Sequence, residues 1–250
     1  MQVVVSNLLT RYERIGSGKP IVLLHGWGDS LETFRTITPR LSKDYELISL
    51  DLPGFGKTDP PHETWDLSSY AQFLKLFLEK LDVQPYAVVG HSNGGALAIH
   101  ASALGTLQPE RLVLLAPSGV RDRQKIRRLA TKVIAKVGKV ATFWLPLSTR
   151  QKLQKKLYGT VGSDMLVAPH LEETFKRTVR QDIQQDARQL SLPALLIYGD
   201  VDIATPVDPI GQRLHKLIKG SRLEVIESAD HFVHQAEPTR VSKLIEDFLK

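Results

Sequence analysis

A tight turn between an apolar strand and a helix constrains this chain more than any other feature. Tyr86-Ala87-Val88-Val89 is a continuous apolar run, Gly90-His91-Ser92-Asn93-Gly94 follows, and Ala96-Leu97-Ala98-Ile99-His100-Ala101 then reads as helix. A strand without polar alternation suits a parallel sheet covered on both faces. G-x-S-x-G between such a strand and a helix is a turn that lifts a serine hydroxyl above the sheet, with its backbone at a helix N-terminus. Small residues on both sides of Ser92 give the reversal its room.

The remaining pattern extends the same architecture. Leu8–Ile15, Ile21–Leu24, Glu46–Leu50, Arg111–Ala116, Ala194–Tyr198 and Leu223–Ile226 read as strands. Asp66-Leu67-Ser68 caps a helix whose Tyr70, Phe73, Leu74, Phe77, Leu78 and Leu81 recur at three- and four-residue spacing. Asp208–Ile218 and Glu237–Leu249 are expected to be helical. Strands alternating with helices predict an α/β class with a mostly parallel sheet covered by helices on both faces.

The alternation breaks once, where charge also accumulates. Pro117–Leu190 carries sixteen Lys/Arg against six Asp/Glu, whereas the remainder carries seventeen against twenty-one. The expected organisation is a core of residues 1–116 and 191–250, with 117–190 inserted as a basic helical cap. Within that insert Leu129, Val133, Ile134, Val137 and Val140 form an apolar stripe, and Lys125, Arg128, Lys132, Lys136 and Lys139 fall largely on the opposite side. A solvated lid is the plain expectation for that face. An acidic protein partner, an anionic substrate or a membrane surface are the competing ones. Nucleic acid is not expected, because no binding motif or interleaved aromatics accompany the charge. No apolar run approaches a membrane span, and the opening residues lack a secretory signal, so a cytoplasmic protein is expected. There is no cysteine, which excludes disulfides and thiolate chemistry.

A serine hydroxyl needs a base before it attacks, and the base needs an acid to orient it. His231, in Glu227-Ser228-Ala229-Asp230-His231-Phe232, follows the last strand and so falls at the same sheet edge as Ser92. Asp202 follows the preceding strand, with Asp200 two residues away as the alternative acid. His231 and His234 make H-x-x-H, but no Glu and no third ligand stand at metal spacing, so no metal is expected. His25 and His91 read as packing residues of their loops.

With these residues in place, the chain resembles the α/β-hydrolase fold superfamily over its whole length. Leu24-His25-Gly26-Trp27-Gly28 resembles the family's oxyanion loop, and Asp51-Leu52-Pro53-Gly54-Phe55-Gly56 its D-x-P-G-x-G loop. Gly90–Gly95 matches its elbow, Gly199–Asp202 its acid loop and His231 its histidine loop, in the order Ser, Asp, His. The resemblance implies an oxyanion hole from the backbone N–H groups of Trp27 and Asn93. It also implies a serine esterase acting on a small-molecule ester without a cofactor, through an acyl-enzyme. Serine at the elbow counts against the family's dehalogenases and epoxide hydrolases, which use a carboxylate. Asp230 stands where relatives commonly have Gly, so its carboxylate either acts on His231 or faces solvent. HGWG with DLPGFG also resembles pimeloyl-acyl carrier protein methyl esterases, for which a basic insert would suit an acidic carrier. Lactonase and C–C bond hydrolase activities stay open, as does a non-catalytic receptor on the same fold.

Overall fold

The computed structural model describes residues 1–121 and 168–250. Eight strands form one sheet: β1 (Gln2–Val5), β2 (Leu8–Ile15), β3 (Lys19–Leu24), β4 (Tyr45–Leu50), β5 (Ala87–His91), β6 (Arg111–Leu115), β7 (Ala194–Gly199) and β8 (Arg222–Ile226). Their spatial order is β1-β2-β4-β3-β5-β6-β7-β8. β2 is antiparallel to β1 and β4, and every later pairing is parallel. The described α-helices are α1 (Thr38–Leu41), α2 (Leu67–Lys80), α3 (Asn93–Ala103), α4 (Glu172–Arg180), α5 (Gln184–Gln189), α6 (Gln212–Leu217), α7 (Val233–Ala236) and α8 (Pro238–Leu249). β5 is buried at all five positions, as its unbroken apolar pattern requires.

Three expectations need correction. β1 was not anticipated, because Val4 is 52% exposed and only Val5 of the four residues is buried, which leaves little apolar alternation to read. The helix expected over Asp208–Ile218 is regular only from Gln212: Asp208 has extended angles (φ −107°, ψ 118°), and the residue before a proline disfavours the α region. The boundaries of the insert also differ. Met1–Val120 and Leu171–Lys250 form one compact unit and Arg121–His170 a second.

Residues 171–190 join the core unit through polar contacts that an apolar pattern does not reveal. Thr174 Oγ1 accepts from Trp65 N at 3.1 Å, Gln181 Oε1 from Leu67 N at 2.6 Å, and Gly119 O from Ile183 N at 3.0 Å. Thr174, Thr178, Gln184 and Ala187 are all buried in these two short helices. The amphipathic stretch from Lys125 to Val140, including Arg128, Lys132 and Lys136, lies outside the described residues.

Candidate active site

The strand-to-helix turn is held by close backbone packing. A Cβ on Gly94 would stand 2.2 Å from Leu24 O, and one on Gly90 2.5 Å from Gly94 O, so neither position admits a larger residue without movement. Ser92 itself takes φ 50°, ψ −115°, a strained conformation for a non-glycine residue, of order 1–3 kcal/mol. Its amide donates to Leu115 O at 2.9 Å and its carbonyl accepts from Ser118 N at 3.0 Å, so the neighbouring strand end offsets that strain. Asn93 is the first residue of α3, and its amide therefore belongs to the helix turn whose N–H groups have no intrahelical acceptor.

The loop carrying Trp27 approaches Ser92 from the end of β3. A Cβ on Gly26 would stand 3.2 Å from Ser92 Cβ and 3.1 Å from His91 Nδ1. His25 fixes this loop. Its Nε2 accepts from Leu52 N at 2.9 Å, so the ring proton sits on Nδ1, which donates to Gly26 O at 2.7 Å. Burial lowers the pKa of His25, which matches the neutral ring this pattern needs. Asp51, fully buried, joins the loops further: its Oδ1 accepts from Leu31 N at 2.8 Å and its Oδ2 from Lys57 N at 2.9 Å. Gly56 is required there, since φ is +56° and a Cβ would stand 2.2 Å from Asp51 Oδ2. Trp27 packs edge-on against Phe55 at 4.8 Å and tilted against Phe175 at 5.0 Å.

His231 and Asp202 meet at the ends of β8 and β7. His231 Nδ1 lies 2.8 Å from Asp202 Oδ2, and the Asp202 side chain has no exposed area. Asp200 is exposed and its amide continues the ladder to Ile226 O, so the two candidate acids are distinguished by position. Burial pushes the Asp202 pKa up, but the hydrogen bond and charge of His231, with two bonds from Thr205, outweigh it and leave the carboxyl below its ordinary range. Asp230 is exposed, and its Oδ1 accepts from Phe232 N at 2.9 Å, a local turn around His231.

Two residues do more here than their sequence context suggests. His91 Nε2 donates to the His231 carbonyl at 3.0 Å, tying the turn at Ser92 to the histidine loop. Burial, aided by the neighbouring His234 and His231 rings, holds the His91 pKa well below the usual histidine range. Thr205 stands in no motif that marks it in the sequence. Its Oγ1 lies 2.8 Å from Asp202 Oδ2, 3.1 Å from Ala116 O and 3.2 Å from His231 Nδ1, while its amide donates to Asp202 Oδ1 at 2.9 Å. The available signal was local: an Asp followed two and three residues later by amides it can cap, just before Pro206. Among the described residues no group of three or more His, Asp or Glu side chains could hold a metal ion, and no helix is long and apolar enough to cross a membrane.

Comparison with known proteins agrees with this architecture. The sequence matches the model of the alpha/beta hydrolase family over residues 21–244. It is 27% identical to a pimeloyl-[acyl-carrier protein] methyl ester esterase of Neisseria meningitidis serogroup B, over 93% of each chain. Among solved structures it is similar to a bromoperoxidase from Bacillus anthracis, with TM-score 0.76 and 22% identity over 100% of this chain and 99% of that one. It is also similar to a meta-cleavage product hydrolase from Pseudomonas fluorescens IP01, with TM-score 0.74 and 21% identity over 99% and 96%. At such identities the structural likeness speaks for the fold alone.

Proposed function

Because the chain belongs to the alpha/beta hydrolase family, we propose that it cleaves carboxylic esters through an acyl-enzyme formed on Ser92. In this reading His231 Nε2 takes the proton from Ser92 Oγ as the oxygen attacks the ester carbonyl. Asp202 keeps the other ring proton on Nδ1 and stabilises the imidazolium. The backbone amides of Trp27 and Asn93 receive the charge on the carbonyl oxygen, where loss of one donor typically costs ~10²–10³ in rate. The imidazolium then gives its proton to the leaving alcohol, and the neutral ring activates water to release the acid. Thr205 is a positioning residue, fixing the Asp202 carboxylate against the end of β6. No step requires a cofactor.

The observation that carries this reading is the 2.8 Å contact between His231 Nδ1 and a buried Asp202, on a loop bonded to His91 beside the strained Ser92. Hydrolysis of short-chain chromogenic esters by the parent and by Ser92→Ala tests it. Turnover lost in the variant with unchanged thermal unfolding supports the reading; equal turnover in both defeats it.

A narrower substrate has its own support. The relative named above is a pimeloyl-[acyl-carrier protein] methyl ester esterase, and the sixteen basic residues of 117–190 would attract a carrier with an acidic surface. Measured kcat/KM for a carrier-bound methyl ester against the free ester decides whether the basic segment selects the carrier.

A further inference from the structure

A second Ser–His–Asp array stands on the helical layer, made of residues that the Ser92 chemistry does not use. Ser68 lies in the first turn of α2, His100 near the end of α3, and Asp186 in α5. His100 Nδ1 is 2.8 Å from Asp186 Oδ2, and His100 Nε2 is 2.9 Å from Ser68 Oγ. The imidazole is sheltered, with 11% of its side chain exposed, and the carboxylate has 21%, whereas Ser68 is exposed. An ionised carboxylate only accepts, so Asp186 fixes the ring proton on Nδ1. Nε2 of the neutral ring then offers a lone pair, and the Ser68 hydroxyl donates to it. This is the tautomer and direction of bonding in which an imidazole can accept a serine proton.

The helix end adds a further element. The amides of Leu67 and Ser69 are engaged by Gln181 Oε1 and Asp66 Oδ1, which leaves the amide of Ser68 as a first-turn donor without an acceptor among the described residues. Asp66 places a carboxylate on the same turn, which disfavours anionic reagents and favours neutral ones. A bond serving only to tie α2 to α3 would be a modest contribution, about 0.5–1.5 kcal/mol.

We propose that Ser68 is a second nucleophilic serine, activated by His100 and Asp186, and a modification site for small neutral acyl and phosphonyl donors. With an activated ester, Ser68 Oγ bonds to the carbonyl carbon while its proton passes to His100 Nε2. The carbon–oxygen bond to the leaving group then breaks, and the imidazolium returns the proton to the departing alcohol. With a phosphonyl fluoride the new bond is to phosphorus, and fluoride leaves with the proton. Neither step depends on Ser92.

The test uses full-length Ser92→Ala protein, treated with p-nitrophenyl acetate or a fluorophosphonate and analysed by intact mass and peptide mapping. The expected result is a single adduct on Ser68, absent in Ser92→Ala/Ser68→Ala and slowed at least about tenfold by Asp186→Asn. Thermal unfolding of the Asp186→Asn protein separates loss of activation from loss of fold. An unmodified Ser68 overturns the proposal whether or not Ser92 reacts in the parent. Equal labelling rates at Ser68 with Asp186→Asn and with the parent acid overturn activation by the His100–Asp186 pair.

Discussion

Acidification should weaken this fold through His234, by an amount set by its burial. His234 has no exposed surface, its Nε2 lies 3.0 Å from Thr33 Oγ1, and its Nδ1 has no partner among the described residues. Burial takes its pKa from 6.5 to about 4, with Asp29 and Asp230 opposing that fall only in part. The unfolded chain therefore takes up a proton near pH 6.5 that the folded chain refuses until about pH 4. Stability from the neutral ring is complete above the unfolded value and is lost as pH falls between the two. At 1.36 kcal/mol per unit the full loss is about 3 kcal/mol, of which about 2 falls between pH 7 and pH 5. Urea unfolding at those two pH values, on the parent and on His234→Gln, isolates the contribution. Glutamine keeps a partner for Thr33 and does not titrate, so the change on acidification is compared rather than the absolute stability. The parent should lose about 2 kcal/mol more than the variant. Equal losses in the two proteins would refute the assignment of a buried neutral His234, since His25 and His91 contribute to both.

Asp202→Asn should reduce kcat for ester hydrolysis by ~10²-fold or more, while Asp200→Asn leaves it within about threefold; the reverse order would assign the acid to Asp200. Thr205→Val should lower kcat more than it raises KM, and Thr205→Ser should restore it, because the hydroxyl is what fixes Asp202; failure of serine to rescue would make the contribution one of packing. Neutralising Arg128, Lys132 and Lys136 should lower kcat/KM for an anionic or carrier-bound ester, with the difference shrinking in salt and a small neutral ester unaffected; equal losses on both substrates, insensitive to salt, would remove the electrostatic argument.

What could be read from the sequence follows physical lines. Strands buried on both faces, such as Ala87–His91 and Ala194–Gly199, declare themselves by continuous apolar runs. The Asp51 loop is legible because its glycines are demanded by backbone geometry, as Gly56 shows. The His231–Asp202 pairing was anticipated because both residues follow parallel strands and must emerge at one sheet edge. β1 is hard to read because Val3-Val4-Val5 does not alternate with polar residues and only Val5 is buried, and the break at Asp208 because an otherwise helical pattern masks the pre-proline restriction. Residues 171–190 read as part of the insert because they are helical in pattern and contain no strand, yet they bury Thr174, Thr178 and Gln184, and a polar residue gives no apolar signal of its burial. Thr205 escaped for a related reason: its importance lies in three simultaneous contacts, to Asp202, Ala116 and His231, that only the assembled sheet edge creates.

The central claim, that ester cleavage passes through Ser92, is tested most directly by titrating the protein with a limiting fluorophosphonate while following turnover of a short-chain ester. Peptide mapping at each point gives the occupancy of Ser92. Activity should fall in proportion to that occupancy and vanish at about one equivalent on Ser92. Full activity with Ser92 modified, or lost activity with Ser92 untouched, would contradict the account.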